Sequence, residues 1–211
     1  MFTGLIEKIG TVKKFHQTGS FYTLTIEAEN FSEELKIGQS VSVSGACLTV
    51  TRNDTKTFDV EMMRETFMRT WFGKNLHAGT KVNLERALKL NDRIDGHLVL
   101  GHVDGIATLR EIHGSETKEA VFVPEDKNLC LGIVEKGSVA IDGISLTVIK
   151  ANDKNFSVGL IPATLSATTL GSIKIGSIIN LETDILGKYI AKLTGHGKKN
   201  LSDDEILSLL Q

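Results

Sequence analysis

Ser40-Val-Ser-Val-Ser-Gly-Ala-Cys-Leu-Thr-Val50 and Ser138-Val-Ala-Ile-Asp-Gly-Ile-Ser-Leu-Thr-Val148 are two versions of one segment, set 98 positions apart. Upstream, Gly4-Leu-Ile-Glu-Lys-Ile-Gly-Thr-Val12 returns as Gly101-His-Val-Asp-Gly-Ile-Ala-Thr-Leu109, at an offset of 97. Downstream, Val82-Asn-Leu-Glu85 returns as Ile179-Asn-Leu-Glu182, again at 97. So steady an offset means two copies of one folded unit, each of roughly 90–100 residues and large enough for its own core. Two copies of one unit imply two similar pockets, which suits a reaction between two like molecules.

The 211 residues carry 20 glycines and only 2 prolines. Short Val-, Ile- and Thr-rich runs lie between the turns. In the first copy they are Tyr22–Glu27, Ser40–Val43, Leu48–Thr51, Thr57–Met62 and Lys81–Leu84. In the second they are Glu119–Val123, Ser138–Ile141, Leu146–Lys150, Asn155–Leu160 and Ser177–Leu181. Several alternate in polarity, as half-buried antiparallel strands do. About six strands per copy at regular spacing predict a small closed barrel, whose closure removes exposed edges. The expected fold is mainly β: two tandem six-stranded antiparallel closed barrels related by internal pseudo-symmetry, plus C-terminal helices. The expected domains are 1–97, 98–187 and a helical tail over 188–211. Met1-Phe-Thr-Gly-Leu-Ile reads as an opening strand and not as a signal peptide. A short helix is expected near Phe31–Leu35, before the fourth or fifth strand, with another turn near Glu65–Phe72 mirrored at Ala163–Leu170. Ile185–Leu193 has helical apolar spacing, and Ser202-Asp-Asp-Glu205 reads as a capping box.

Hydrophobic residues make up 41% and charged ones 24%, ordinary for a globular chain. A formal charge of −2 gives no electrostatic reason to expect nucleic acid or an anionic membrane as partner. No apolar run approaches the ~20 residues of a membrane helix. Two cysteines, Cys47 and Cys130, make no disulfide framework, so a reducing cytoplasm is the simplest setting.

Aligning the copies sorts the residues. Shared are Gly4/Gly101, Gly45/Gly143, Leu48/Leu146, Thr49/Thr147, Thr66/Thr164 and Glu85/Glu182, which hold the fold or bind a common part of a ligand. Divergent are Leu5/His102, Cys47/Ser145, Gly38/Lys136, Ser44/Asp142, Ala87/Asp184 and Arg64-Glu65/Pro162-Ala163. One copy there often carries a titratable or nucleophilic group where its twin is bland, which unequal donor and acceptor pockets would need. Each has a plainer reading: a lone Cys47 as a small buried hydrophobe, Ser145 as a turn hydroxyl, Lys136 and Asp184 as solvated charges. His97 and His102, five apart in a glycine-rich stretch, fit no zinc pattern, and no metal is expected. No Gly-x-Ser-x-Gly elbow or phosphate loop is present.

These residues resemble the riboflavin synthase family, in the form that holds two lumazine-binding barrels. The resemblance runs from Met1-Phe-Thr-Gly-Leu-Ile-Glu7 through Gly45-Ala-Cys-Leu-Thr-Val50, Met63-Arg-Glu-Thr66, Asn83-Leu-Glu-Arg-Ala87 and Gly96-His-Leu-Val-Leu-Gly-His-Val-Asp-Gly105. It continues through Ile141-Asp-Gly-Ile-Ser-Leu-Thr-Val148, Leu160-Ile-Pro162 and Thr168-Thr-Leu-Gly171. It implies a transferase that dismutates two 6,7-dimethyl-8-ribityllumazine molecules without metal or cofactor, and a homotrimer with lumazine synthase as a candidate partner. The other reading is a non-catalytic lumazine- or flavin-binding fluorescent protein of the same fold.

The resemblance also implies where the sites lie. The first-copy site would take Cys47, Leu48 and Thr49, then Glu61, Met62, Met63, Arg64, Glu65 and Thr66, with Gly101, His102 and Val103 from the second copy. The second-copy site would take Lys136, Ser145, Leu146 and Thr147, then Gly159, Leu160, Ile161, Pro162, Ala163 and Thr164, with Gly4, Leu5 and Ile6 from the first. Ser145, Thr147, His102, Cys47 and Asp184 are the expected catalytic residues. One active site would join the first barrel of one subunit to the second barrel of a neighbour.

Overall fold

The duplicated segment folds as the same hairpin in both copies, and each hairpin belongs to a closed six-stranded barrel. A computed structural model describes residues 1–194. The first barrel is built from β1 (Lys8–Thr18), β2 (Phe21–Glu27), β3 (Ser40–Val43), β4 (Ala46–Asn53), β5 (Thr57–Met63) and β6 (Lys81–Arg86). The second uses β7 (Gly105–His113), β8 (Lys118–Pro124), β9 (Ser138–Ile141), β10 (Ile144–Ala151), β11 (Phe156–Leu160) and β12 (Ile178–Thr183). Neighbour order is β1-β2-β5-β4-β3-β6 in one and the equivalent β7-β8-β11-β10-β9-β12 in the other. The register shifts at Val12/Lys14 and Val50/Arg52, and at the twin positions Leu109/Glu111 and Val148/Lys150. Bulges bend a strand and raise its twist, so these bends at matched places help close both barrels.

β4 and β10 share one inside–outside pattern, position for position. Leu48 and Val50, like Leu146 and Val148, point into the barrel; Cys47 and Thr49, like Ser145 and Thr147, point out. A six-stranded barrel is too narrow to leave a lumen, and its interior is filled with side chains. Leu24, Ile26, Phe58, Val60 and Leu84 fill the first; Leu109, Phe122, Phe156, Val158 and Leu181 fill the second.

The barrels meet across a pseudo-twofold junction. A Cβ on Gly45 would lie 2.8 Å from the Gly143 nitrogen, and one on Gly143 would lie 2.8 Å from the Gly45 nitrogen, so only glycine permits this approach. Asn83 Nδ2 donates to the Asp142 carbonyl at 3.0 Å and Asn180 Nδ2 to the Ser44 carbonyl at 2.8 Å. The Asn83 and Asn180 amide oxygens accept from the backbone of Thr169 and Trp71, both at 2.9 Å. The divergent Ser44/Asp142 pair therefore sits in this junction between the barrels. Gly38 and Lys136 occupy equivalent left-handed turns (φ 86° and 63°), their nitrogens donating to Val50 and Val148.

Two expectations change. Met1–Ile6 is an arm and not a strand, with one isolated β-bridge to the second copy, Phe2–Val99. The Glu85 carboxylate takes the Thr3 and Gly4 nitrogens at 2.6 and 3.0 Å, and Gly4 turns at φ 80°, so no ladder can form. The first short helix is a 3₁₀ turn, Ser32–Glu34, that precedes the third strand. Ser32 Oγ reaches both the Asp54 and Thr57 carbonyls (2.6 and 2.7 Å), tying the turn to the β4–β5 hairpin. Of the other helical pieces, α1 (Arg64–Arg69), α2 (Phe72–Asn75) and α3 (Pro162–Ala167) with a 3₁₀ turn at Thr169–Ser172 lead into β6 and β12, and a 3₁₀ turn at Lys127–Gly132 precedes β9. The tail helix α4 spans Ile185–Leu193 as the spacing predicts. The Ser202–Glu205 capping box lies outside the described residues.

Candidate functional site

Each barrel offers an outward-facing surface completed by an arm from the other copy. On the first barrel the Cys47 nitrogen donates to the Gly101 carbonyl at 2.8 Å, and Val103 packs into the first core. On the second, the Ser145 nitrogen donates to the Gly4 carbonyl at 2.9 Å, and Ile6 packs against the second core. Both contacts rest on glycine. A Cβ on Gly101 (φ 77°) would lie 2.6 Å from Cys47 Cβ, and one on Gly4 (φ 80°) 2.5 Å from Ser145 Cβ. The arms are gripped alike: Glu85 binds the Thr3 and Gly4 nitrogens, and Glu182 binds those of Leu100, Gly101 and His102 at 2.7 to 3.1 Å. Burial pushes both carboxyl groups above the ordinary range, outweighing the hydrogen bonds they accept.

The expected site residues gather into these two surfaces. Thr49 pairs across the ladder with Glu61, and Met63, Arg64 and Glu65 continue the first surface as exposed side chains, with Thr66 half-buried. Gly159, Ile161, Pro162 and Ala163 do the same on the second, with Thr164 half-buried; Leu5 and Thr147 are exposed there. Met62, Leu160, Leu48 and Leu146 point inward and support the walls from behind. Lys136 lies on the turn against Val148, its side chain exposed.

The five expected catalytic residues divide between the surfaces. Cys47 and the exposed His102 belong to the first, Ser145, Thr147 and Asp184 to the second. His97, which carried no chemical role in the sequence reading, has Nδ1 2.7 Å from Ser145 Oγ. Burial holds its imidazole below the ordinary value, against the opposing pull of Asp184. With the ring proton on Nε2, a neutral His97 accepts the hydroxyl hydrogen and can relay a proton through Ser145. Asp184 also caps α4, accepting from the Leu186 nitrogen at 2.9 Å. The available signal for His97 was its place beside Gly96, whose Cβ would meet Ser145 Cβ at 2.9 Å. Among the described residues no cluster of three His, Cys, Asp or Glu forms a metal site.

Duplicated barrels with exchanged arms and outward binding faces define a two-repeat lumazine-binding protein, and the lumazine binding domain model matches residues 3–87 and 100–184. The chain belongs to the riboflavin synthase family. It is 43% identical over 209 residues to the riboflavin synthase of Actinobacillus pleuropneumoniae, covering 97% of each chain. It is 38% identical over 208 residues to that of Bacillus subtilis (98% and 95% covered) and 39% over 195 to that of Schizosaccharomyces pombe (92% and 93%). Among solved structures it is similar to LumP complexed with riboflavin, with TM-score 0.77 and 26% identity over 87% of this chain and 99% of that one.

Proposed function

We propose that this enzyme dismutates two molecules of 6,7-dimethyl-8-ribityllumazine. One transfers a four-carbon unit to the other, giving riboflavin and 5-amino-6-(ribitylamino)uracil, the last step of riboflavin biosynthesis. The observation that carries the reading is the pair of equivalent outward faces with unequal chemistry, Cys47 and His102 on one, Ser145, His97 and Asp184 on the other. A reaction between two identical substrates needs such a pair: similar walls to hold the same ring, different side chains to impose different roles.

The C7 methyl of one lumazine is acidic because its carbanion delocalises into the ring. The hydroxyl of Ser145, backed by His97, is suited to move that proton directly or through a water. Thr49 and Thr147 are placed to bind polar edges, and the Cys47 thiol to assist addition to the partner ring. Stacking two rings in reacting geometry can supply roughly 7–11 kcal/mol of the barrier, and positioned proton transfer a further ~10²–10⁴-fold.

Outward, open faces need a cover. The reading that supplies one is a homotrimer in which the first barrel of one subunit meets the second barrel of the next. It is supported by the exposure of His102, Thr49 and Thr147 and by the apolar outer face of α4, where Leu186, Tyr189, Ile190 and Leu193 are exposed. Association with lumazine synthase is supported by the family resemblance, and a cytoplasmic setting by the two unpaired cysteines.

The experiment is incubation of purified protein with dimethylribityllumazine alone. Riboflavin and the uracil should appear in equal amounts without added cofactor. A non-catalytic binder, the reading that LumP suggests, would give a fluorescent complex and no riboflavin.

A further inference from the structure

The barrel junction is symmetric except at one buried carboxylate. Asp142 Oδ1 accepts from the Asn180 nitrogen and from Trp71 Nε1, both at 2.8 Å, whereas its twin Ser44 Oγ accepts only the Asn83 nitrogen at 3.2 Å. No protein group among the described residues donates to Asp142 Oδ2. Among the described residues no fully buried side-chain oxygen or nitrogen lacks a partner, so Oδ2 keeps access to the outside although the residue is only 7% exposed. Asp142 and Trp71 together line a cleft of about 270 Å³ between the two barrels. The cleft has an apolar wall of Leu170, Ile173, Ile178 and Ile179, and Lys81 and His77 also border it.

We propose that this cleft is a binding site, separate from the lumazine faces, for a small organic monocation bearing a primary ammonium on a short apolar stem. A carboxylate oxygen at a sparingly exposed residue, held by no protein donor, gains a charge-assisted hydrogen bond from an N–H cation. A guanidinium fork needs both carboxylate oxygens, and Oδ1 is already engaged twice, so a point-like ammonium suits Oδ2 better. Lys81 at the border disfavours a second positive charge on the ligand. The isoleucine wall accepts a stem of about four carbons, within the scale of small-ligand pockets. A divalent metal ion would want several oxygen or nitrogen ligands, and among the described residues Asp142 is the only carboxylate lining the cleft.

Trp71 is the sole tryptophan of the chain and bonds the same carboxylate, so it reports on the site. Titrate the full-length protein with n-butylammonium chloride in alkaline buffer, following Trp71 fluorescence and heat of binding, with tetramethylammonium chloride at equal ionic strength as the control without N–H. Saturable binding of butylammonium, with none of tetramethylammonium, is expected. D142N and D142S should each weaken it at least tenfold; the serine variant carries the residue found at the twin position. S172F fills the cleft from an exposed position and should block binding even if the Asp142 variants fold poorly. A response that never saturates, that tetramethylammonium reproduces, or that survives in S172F overturns the proposal. Riboflavin formation need not change in any of these arms, so the site's failure and that of the lumazine reaction are distinguishable.

Discussion

At the scale of single residues, the decisive groups are those whose surroundings contradict their usual behaviour. Asp142 is a carboxyl pushed up to about 7, because burial outweighs the two N–H bonds it accepts. The unfolded chain would hold it near its ordinary value, so the folded state binds the proton more tightly. The stability it contributes is therefore present in full below about pH 4 and is lost as pH rises to about 7, at up to about 1.4 kcal/mol per pH unit. D142N keeps an oxygen to accept both bonds and removes the charge. Urea unfolding at a series of pH values should show the variant gaining on the wild type from pH 4 to 7, with a constant gap above. Ser145 is the corresponding test of chemistry. S145A should lower turnover by roughly 10²–10⁴ while leaving the circular dichroism unchanged, and a fall under threefold would remove the hydroxyl from the proton path. Cys47/Ser145 and Leu5/His102 were legible as unequal twins in the duplicated sequence. His97 was not, because contact with Ser145 depends on how the Gly96 turn folds back.

At the scale of elements, the arms matter more than the strands they precede. Strand positions could be read from alternation, since Val, Leu and Phe at every second position have one place to go in a narrow barrel. The arms show no such alternation. Their course is set by Glu85 and Glu182 capturing successive backbone nitrogens, which a sequence displays only as two shared glutamates. Replacing Gly101 with Ala would press a methyl into Cys47 at φ 77°, at a cost of roughly 1–3 kcal/mol. G4A should do the same at Ser145. Thermal unfolding should register both, and ligand titration should show the two variants weakening different surfaces. The tail helix makes a separate prediction. I190E, placed on the exposed apolar face of α4, should shift sedimentation towards monomer and lower activity with the barrels still folded. A variant that sediments like wild type would deny α4 a role in assembly.

At the scale of the whole molecule, each chain carries two outward surfaces held apart by a junction of glycines, asparagines and one buried aspartate. The proposed assembly predicts complementation. H102A disables the first surface and S145A the second. If an active site joins surfaces from neighbouring subunits of a cyclic trimer, equal mixing after dissociation should leave up to about one quarter of sites with both surfaces intact. Activity should return towards that level in the mixed sample and stay absent from either variant alone. Recovery of nothing would place both lumazines on one chain.

The sequence by itself determined the duplication, the strand count, the barrel class and most of the surface residues, because repeat offset and alternating polarity are local properties that survive without coordinates. Tertiary structure alone decided that Met1–Ile6 is an exchanged arm, that Ser44 and Asp142 bind barrel to barrel, and that His97 meets Ser145. Those contacts join residues 48 to 141 positions apart in the chain (His97–Ser145 are 48 apart, Trp71–Asp142 are 71, Gly4–Ser145 are 141). Separations of that size carry no periodicity to read; they exist only once closed barrels hold the ends in place.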